Sequence, residues 1–422
     1  MSDWTSCCGR RRSGPPPGVE RVVPLQEATR RVTAAIATLG LTPELTDRGR
    51  GGEPGAWSCR LLTGGAGPPA AEGMGKGRRA EARAGALFEA LEHHLTGPAL
   101  FDPAALELAE PAGVAAGPLR REACGVLLSR APGRLACHRY RPLGGGREIA
   151  VPLFLGAPWY AETHAGRLRE RAADTCDYRH LMRYACNSGS AAGVTAAEAL
   201  LHALNEAVER DALSLLLVRA FLRDAEFRPA VVDPATLPCH LAHAYAAAER
   251  VTGAPVHLLD ITSDLGVPTM LAYTAPTARH PHRRGAGTSL SASHAAWRAL
   301  TELIQTTLGR TAPDEPAWSA RHPELRACGR FDLTVHLRRA RTVPCREAGG
   351  VPRHPRDQLR KLVTVLTAHG FVPYRRVVAV LPGRIVAVHV IVPGLERFML
   401  ILGGNLVLPG PRGHALVRGR SG

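Results

Sequence analysis

The chain has 422 residues, of which 45% are hydrophobic and 21% charged, a composition typical of a globular protein with one to three domains. No apolar run approaches the roughly 18–20 residues of a membrane-spanning helix, and the N-terminus lacks the apolar segment of a secretory signal. We therefore expect a cytoplasmic protein without a membrane partner. The formal net charge is +16, but the basic residues are dispersed arginines and aromatic residues are few, which argues against a nucleic-acid partner.

Cysteine and lysine are distributed in ways that bear on function. The cysteines form no CxxC pair and no His/Cys set with zinc spacing, so we interpret most of them as buried free thiols. Lysine occurs only at positions 76 and 361. Because arginine supplies positive charge everywhere else, Lys76 is a candidate for a specific role.

The first half of the chain is predicted to mix helices with short strands. Residues 1–20 are basic and proline-rich and are interpreted as a disordered tail. The predicted elements are a helix over 25–39, a strand over 57–63, a flexible glycine-rich loop over 64–77, a helix over about 78–95 and a strand over 148–155. Proline and glycine interrupt residues 97–147, and 156–192 form a long irregular connection of the kind that is often functional.

The second half contains the most strongly patterned segment of the chain. Thr195 is a good helix N-cap and Glu198 completes a capping box, which predicts a long helix ending near Leu222. Further predicted elements are strands over 255–262 and 267–275, a glycine-rich loop and then a helix within 281–309, a helix over 356–370, and strands over 374–381, 385–394 and 397–404. Because helices and strands mix without regular alternation, we predict an α+β fold layered around a sheet.

Three of the predicted helices carry acidic or amide side chains three residues apart, on one helix face. The pairs are Glu89 with Glu92, Glu206 with Glu209, and Glu302 with Gln305. Like charges at this spacing repel by roughly 0.2–0.5 kcal/mol, so a cation between the helices would explain the pattern. Each pair also follows a glycine-rich stretch. This weak internal similarity is compatible with a duplicated unit of a glycine-rich stretch and a helix.

Clustered carboxylates of this kind suit Mg²⁺, which usually bridges carboxylates to substrate phosphates. Glycine-rich backbone and Lys76 are suited to receive phosphate, so the pattern predicts a Mg-nucleotide site. The alternative for any single pair is a solvated surface, which we expect for Glu107 and Glu110 at the same spacing. The GKG at 75–77 is not a P-loop, because the full GxxxxGK[ST] pattern is missing.

Four stretches of the sequence occur in the order and at about the spacing of the YcaO family. They are GKGRRAEARAGALFEALEHH, CNSGSAAGVTAAEALLHALNEAVERDAL, GAGTSLSASHAAWRALTELIQ and VPGLERF. The second stretch is the most specific, and the resemblance covers roughly residues 22–400. It implies a YcaO-like α/β sandwich over residues 21–405, with ATP and Mg²⁺ between glutamate-bearing helices, followed by a C-terminal tail over 406–422.

The resemblance also implies roles for individual residues. Those implied to hold Mg²⁺ are Glu89, Glu92, Glu206, Glu209 and Glu302. Those implied to bind the nucleotide are Gly75, Lys76, His202, Arg210 and Gln305. Two alternatives stay open for Arg210: a contact with phosphate or Glu206, and a structural salt bridge to Asp211 or Asp260. His202 is more typical of a packed helix residue than of a base.

YcaO proteins use ATP to modify backbone amides of ribosomally made peptides. The resemblance therefore implies cyclodehydration of Cys, Ser or Thr to an azoline, in which the enzyme itself needs no nucleophile. Thioamide or amidine formation with an external sulfide or amine is the alternative within the family. The implied partners are a precursor peptide and a separate protein that binds its leader, and a homodimer is left open.

Two features depart from the family pattern. Gly85 stands where the first motif of the family has a serine, and the C-terminus has only Pro409 and Pro411 where azoline-forming members often have a proline-rich tail that reaches the active site. The first departure favours a third hypothesis, a homologue that binds peptide or nucleotide without turnover and acts as a scaffold. The retained glutamates argue against that hypothesis.

Overall fold

A computed structural model of the chain describes residues 20–65, 67–162, 165–223, 227–277, 281–309, 317–347 and 349–418. The tail predicted for residues 1–20 lies outside this description except for Glu20, as do residues 419–422 of the predicted C-terminal tail. None of the helices in the described ranges has both the length and the apolar character needed to cross a membrane.

The described helices include all the long ones that the periodicity predicts. The α-helices are α1 (Leu25–Thr38), α2 (Arg79–Thr96), α3 (Pro111–Ala116), α4 (Gly125–Leu128), α5 (Pro158–Ala161), α6 (Gly166–Arg171), α7 (Ala196–Leu217), α8 (Cys239–Thr252), α9 (Ala292–Leu308), α10 (Arg326–Gly329), α11 (Thr334–Leu337), α12 (Pro355–Ala368) and α13 (Pro411–Arg418). Helix α7 continues as a π-helical turn, Val218–Arg223, so its predicted end near Leu222 is confirmed. The bounds predicted for α1, α2 and α12 are within two residues of those observed.

The described strands form three sheets. They are β1 (Thr42–Asp47), β2 (Gly55–Leu62), β3 (Ala71–Gly77), β4 (Glu107–Ala109), β5 (Leu135–Pro142), β6 (Ile149–Pro152), β7 (Ser190–Gly193), β8 (Ala230–Val232), β9 (His257–Asp260), β10 (Thr269–Thr274), β11 (Arg283–Thr288), β12 (Arg341–Val343), β13 (Tyr374–Leu381) and β14 (Ile385–Ile391). The strand orders are β1-β2-β3, β11-β10-β9-β8-β12 and β4-β5-β13-β14-β7, with β6 beside β5. Helices pack between and over these sheets, which confirms the predicted layered α+β fold.

The predicted glycine-rich loops before α2 and α9 are in fact largely strands, and this part of the prediction is wrong. Strand β3 pairs with β2 from Ala71 to Gly77, and β11 pairs with β10. A Cβ atom on Gly75 would lie 1.8 Å from the carbonyl oxygen of Ala82 in α2, and one on Gly285 would lie 2.1 Å from the amide nitrogen of Leu303 in α9. The glycines therefore allow a strand to lie directly against a helix backbone.

Two further predictions are wrong in detail. Residues 397–404 were expected to form a strand, but Phe398–Gly403 form a 3-10 helix, because a short apolar run has no periodicity that separates the two. Only half of the predicted capping box forms. The Thr195 hydroxyl accepts from the Glu198 amide, while the Glu198 carboxylate instead accepts from the backbone amides of Val194 and Val22.

Helix α7 lies at the centre of the molecule. Its apolar residues extend from a core shared with α12 and β14 into a second core formed with β9 and β10. Helix α2 packs on β2 and β3, and α9 packs on β10, β11 and α8. Because strand β7 contacts both α2 and α7, and α9 contacts β3, the three helices with acidic pairs face one another.

Candidate functional site

The facing helices α2, α7 and α9 enclose a cavity of about 1110 Å³. All ten residues predicted for the metal and nucleotide sites line it: Gly75, Lys76, Glu89, Glu92, His202, Glu206, Glu209, Arg210, Glu302 and Gln305. Glu107 and Glu110 are not among the lining residues. Glu110 is exposed, as predicted, whereas Glu107 is half-buried and pairs with Arg139. The i, i+3 pairs that share a face of each helix therefore converge in space.

Two cations of the protein contact the carboxylates directly. The Lys76 ammonium group at the end of β3 pairs with Glu302 on α9. The Arg210 guanidinium lies 3.3 Å from the carboxylate of Glu206 and 3.6 Å from that of Glu209. The contact of Arg210 with Glu206 is thus one of the predicted alternatives, whereas Asp211 pairs with Arg412 instead.

Backbone amides hold two of the carboxylates in place. The amide of Met74 in β3 donates to Glu89 over 3.1 Å, and the amide of Gly189, just before β7, donates to Glu206 over 3.4 Å. The close packing of β3 on α2 brings the first of these donors to the carboxylate. The strands therefore orient the side chains that the helices supply.

The protein compensates the charges of these carboxylates unevenly. Burial raises the pKa of Glu92 well above its usual value, and repulsion from Glu206 and Glu89 raises it further. Burial likewise raises the pKa of Glu89 and of Glu209. Burial also acts on Glu302, but Lys76 and Arg210 outweigh it and lower its pKa to about 2. An additional cation near Glu89, Glu92 and Glu209 would stabilise their charged forms.

The donor chemistry fits Mg²⁺ shared with a phosphate ligand. In the described part of the chain, no group of three or more His, Cys, Asp or Glu side chains is close enough to hold a metal ion by itself. Mg²⁺ is usually bound by one or two carboxylates together with substrate phosphates and water. Carboxylates spread around one cavity, with Lys76 and Arg210 among them, match that mode better than an all-protein cage.

His202 is neutral in this site. Burial lowers its pKa to about 3, and the nearby positive charge of Arg298 acts in the same direction. Its Nδ1 atom lies 3.3 Å from the Arg298 guanidinium, so the ring accepts a hydrogen bond from that arginine. This geometry agrees with a hydrogen-bonding histidine rather than with a base.

Gly85 of α2 lies directly against Gly75 of β3. A Cβ atom at this position would lie 3.2 Å from the Gly75 Cα atom, which is tighter than ordinary van der Waals contact. A serine at this position would therefore require a small shift of β3 or α2, and Gly85 itself lines the cavity, as Lys76 does.

Several cavity residues were not predicted from the sequence. Arg298 lies one turn before Glu302 on α9, so the helical spacing could have identified it. Ser190 and Glu20 carry no local signal. The Ser190 hydroxyl, which lines the cavity, is buried with no hydrogen-bond partner among the described residues, so the cavity wall offers an unsatisfied polar atom to a ligand.

The cavity, its carboxylates and the layered fold have the arrangement that the sequence predicted for a Mg-nucleotide site. Residues 74–396 match the family model described as YcaO cyclodehydratase, ATP- and Mg²⁺-binding, and the chain belongs to this family. The predicted cofactors, ATP and Mg²⁺, are those of the family.

Two curated relatives are similar over part of the chain. An uncharacterized protein in the tfuA 3' region of Rhizobium leguminosarum bv. trifolii is 31% identical over 258 residues, which is 55% of this chain and 57% of the relative. An uncharacterized protein of Methanothermobacter thermautotrophicus is 35% identical over 123 residues, 28% of this chain and 30% of the relative. The chain thus matches just over half of the first relative and under a third of the second.

Solved structures share the fold at low sequence identity. YcaO from Methanopyrus kandleri bound with AMPPCP and Mg²⁺ has a TM-score of 0.62 and 19% identity, with 92% of this chain and 95% of that chain covered. A heterocyclase in complex with substrate and cofactor has a TM-score of 0.61 and 19% identity, over 91% of this chain and 55% of that chain. The E. coli microcin synthetase McbBCD complex with pro-MccB17 bound has a TM-score of 0.56 and 12% identity, with 84% of this chain and 89% of that chain covered.

Proposed function

We propose that this protein is an ATP- and Mg²⁺-dependent enzyme that activates a backbone amide of a ribosomally made peptide by phosphorylation. The observation that carries the proposal is the convergence of the acidic faces of α2, α7 and α9 on one cavity, together with Lys76 and Arg210. Membership of a cyclodehydratase family supports the same reaction class. The work of such a site is positioning and charge neutralisation at the phosphoryl group.

The residues divide into two proposed roles. The carboxylates proposed to hold Mg²⁺ are Glu89, Glu92, Glu206, Glu209 and Glu302. The groups proposed to contact the nucleotide are Gly75, Lys76, His202, Arg210 and Gln305. Lys76 and Arg210 now neutralise glutamates, so a bound metal would free both cations to meet phosphate oxygens.

The proposed product is an azoline formed from a Cys, Ser or Thr of the substrate. The substrate side chain attacks the preceding backbone carbonyl, the oxygen of that carbonyl receives the terminal phosphoryl group of ATP, and it leaves as phosphate. The balance is one ATP consumed, with ADP and phosphate released, for each ring formed. The cavity residues orient the amide and the phosphates for this transfer.

The second candidate is formation of a thioamide or amidine with an external sulfide or amine. One observation favours it: the described C-terminal segment, residues 406–418, does not line the cavity. Helix α13 instead lies against α7, where Arg412 pairs with Asp211. A proline-rich tail that reaches the active site, as the resemblance implies for azoline-forming members, is therefore not seen in these residues.

The proposed partners are a precursor peptide and a separate protein that binds its leader. Two structures with this fold support the idea, since one is a heterocyclase in complex with substrate and the other a synthetase complex with pro-MccB17 bound. A cytoplasmic location is also proposed, and a homodimer is left open.

Calorimetric titration with ATP, with and without Mg²⁺, tests the proposed function. We expect binding that requires Mg²⁺ and falls at least about tenfold in Glu206→Gln, because that change removes a charged ligand from the metal site. Glu27→Gln is the matched control, since Glu27 also pairs with an arginine four residues away but does not line the cavity. Absence of ATP binding by the wild-type protein both with and without Mg²⁺ would contradict the proposal and favour a scaffold.

A further inference from the structure

The N-terminal end of the described chain lies in the wall of the cavity. Residues 20–25 line it, and the backbone amide of Val22 donates to the carboxylate of Glu198 in the first turn of α7. This bond holds the segment against the helix that carries Glu206. The segment therefore belongs to the site, although it lies outside the motifs that identify the family.

Glu20 extends from this segment into a pocket of polar groups between α7 and α9. Its carboxylate accepts from the Ser289 hydroxyl over 2.7 Å and from the Asn205 amide over 3.3 Å. The ring of His294 lies 3.6 Å away and the guanidinium of Arg298 lies 4.0 Å away. Only 12% of the Glu20 side chain is exposed. The donors come from both helices and from the residue just after β11.

The pocket stabilises the charged form of Glu20. Burial alone would raise its pKa, but His294, Arg298 and the Ser289 hydroxyl outweigh burial and lower it to about 2. Two neighbouring polar atoms are still free: the side-chain oxygen of Asn205 and the Nε atom of Arg298 have no partner among the described residues. Glu20 is thus a largely buried carboxylate that is surrounded by hydrogen-bond donors and positively charged groups.

Arg298 connects this pocket to the metal-binding carboxylates. It donates to His202 on α7, and its charge acts to lower the pKa of both Glu209 and Glu302. If the Glu20 carboxylate were absent, the uncompensated guanidinium would be drawn toward those glutamates. An ion pair there would occupy oxygen atoms that a metal ion needs.

We infer that Glu20 is a positioning residue that ties α7 to α9 and holds Arg298 away from Glu209 and Glu302. The inference rests on the proposed function, because its consequence is tighter binding of Mg-ATP. Glu20 contacts no predicted metal ligand directly; it acts through Arg298 and through the geometry of the two helices.

The test compares Mg-ATP affinity, measured by calorimetry, in Glu20→Ala, Glu20→Gln and wild-type protein. We expect the affinity of both variants to fall about tenfold, since a charge-assisted hydrogen-bond network contributes on that order. Formate should restore the affinity of Glu20→Ala by filling the carboxylate position, whereas formamide should not. Glu27→Gln, in the neighbouring helix α1, is the control, and thermal denaturation verifies that each variant is folded.

A double-mutant cycle with Arg298→Gln separates positioning from a general loss of structure. If Glu20 acts through Arg298, the two substitutions are non-additive, and Glu20→Gln has little further effect on Mg-ATP affinity in the Arg298→Gln background. Full additivity, or wild-type affinity in Glu20→Ala, overturns the inference while leaving the proposed function intact. Failure of the wild-type protein to bind Mg-ATP overturns the proposed function itself, and this inference with it.

Discussion

Glu92 shows how burial and neighbouring charges act on a single residue of the cavity. Its folded-state pKa is raised by burial and by repulsion from Glu206 and Glu89. A group of this kind favours the folded state fully only below the unfolded-state pKa of 4.5, and that contribution is lost as pH rises through the folded-state pKa. Above pH 4.5 the buried Glu92 carboxyl therefore lowers the stability of the fold, and a nearby cation would reduce that cost.

The prediction for Glu92 is a pH-dependent difference between two proteins. The free energy of unfolding of Glu92→Gln minus that of the wild type should increase as pH rises from about 4.5, because only the wild type must charge a buried carboxyl. Mg-ATP should reduce the difference at neutral pH. Urea denaturation across a pH series measures both effects. A difference that does not change with pH would contradict the raised pKa of Glu92. Buried histidines titrate in both proteins, so their contribution cancels when the two free energies of unfolding are subtracted.

At the scale of elements, glycines set the distance between strand and helix. Gly73 and Gly75 on β3 face the backbone of α2, and Gly285 and Gly287 on β11 face that of α9; in each case an added Cβ would overlap helix backbone atoms. The two strand-helix pairs, β3 with α2 and β11 with α9, therefore pack in the same way, and each helix carries one of the acidic pairs. The similarity between these stretches of sequence thus reflects a repeated packing of a strand on a helix, which in the first pair positions Lys76.

Gly75→Ala should therefore destabilise the protein and disturb the site together. The added methyl group would lie 1.8 Å from the Ala82 carbonyl oxygen and 2.4 Å from the Ala86 amide, so β3 must move. We expect a loss of about 3 kcal/mol in the free energy of unfolding, typical of strong overpacking, and weaker Mg-ATP binding as Lys76 shifts. Gly64→Ala, where nothing lies within 4 Å, should be nearly neutral by urea denaturation. Equal stability of the two variants would contradict this account.

On the scale of the whole molecule, both ends of the described chain brace helix α7. The N-terminal segment contacts it through Glu198 and Asn205. At the other end, Arg412 of α13 lies 2.7 Å from the fully buried Asp211 of α7. Glu396 accepts the backbone amides of Gly410 and Gly413 near the start of α13. Since Asp211 follows Arg210, the C-terminal helix supports the turn of α7 that faces the cavity.

Arg412→Ala should destabilise the fold by about 3 kcal/mol, because it leaves the Asp211 carboxylate buried without its partner. Arg360→Ala removes an exposed pair with Asp357 and should have a much smaller effect. Chemical denaturation measures both. If the two variants were equally stable, the C-terminal helix would not brace α7 through this ion pair.

The sequence predicted which side chains line the cavity better than it predicted the structure around them. Helix bounds and shared faces followed from periodicity, and the motif around Glu206 and Glu209 identified the family that the family model confirms. Parts of the glycine-rich stretches that form strands were predicted as loops, because Gly73, Gly75, Gly285 and Gly287 are required by the backbone of a helix that follows in the chain. Glu20 was missed because its partners Asn205 and Ser289 are 185 and 269 residues away.

By itself, the sequence determined which residues share a helix face, because the 3.6-residue period places i and i+3 together regardless of context. It also determined the family, through the spacing of four motifs. Only the tertiary structure decided that three such faces meet in one cavity, which carboxylates the protein's own cations neutralise, and how the two ends of the described part of the chain contact α7. These depend on packing between distant segments, whose energies no local pattern encodes.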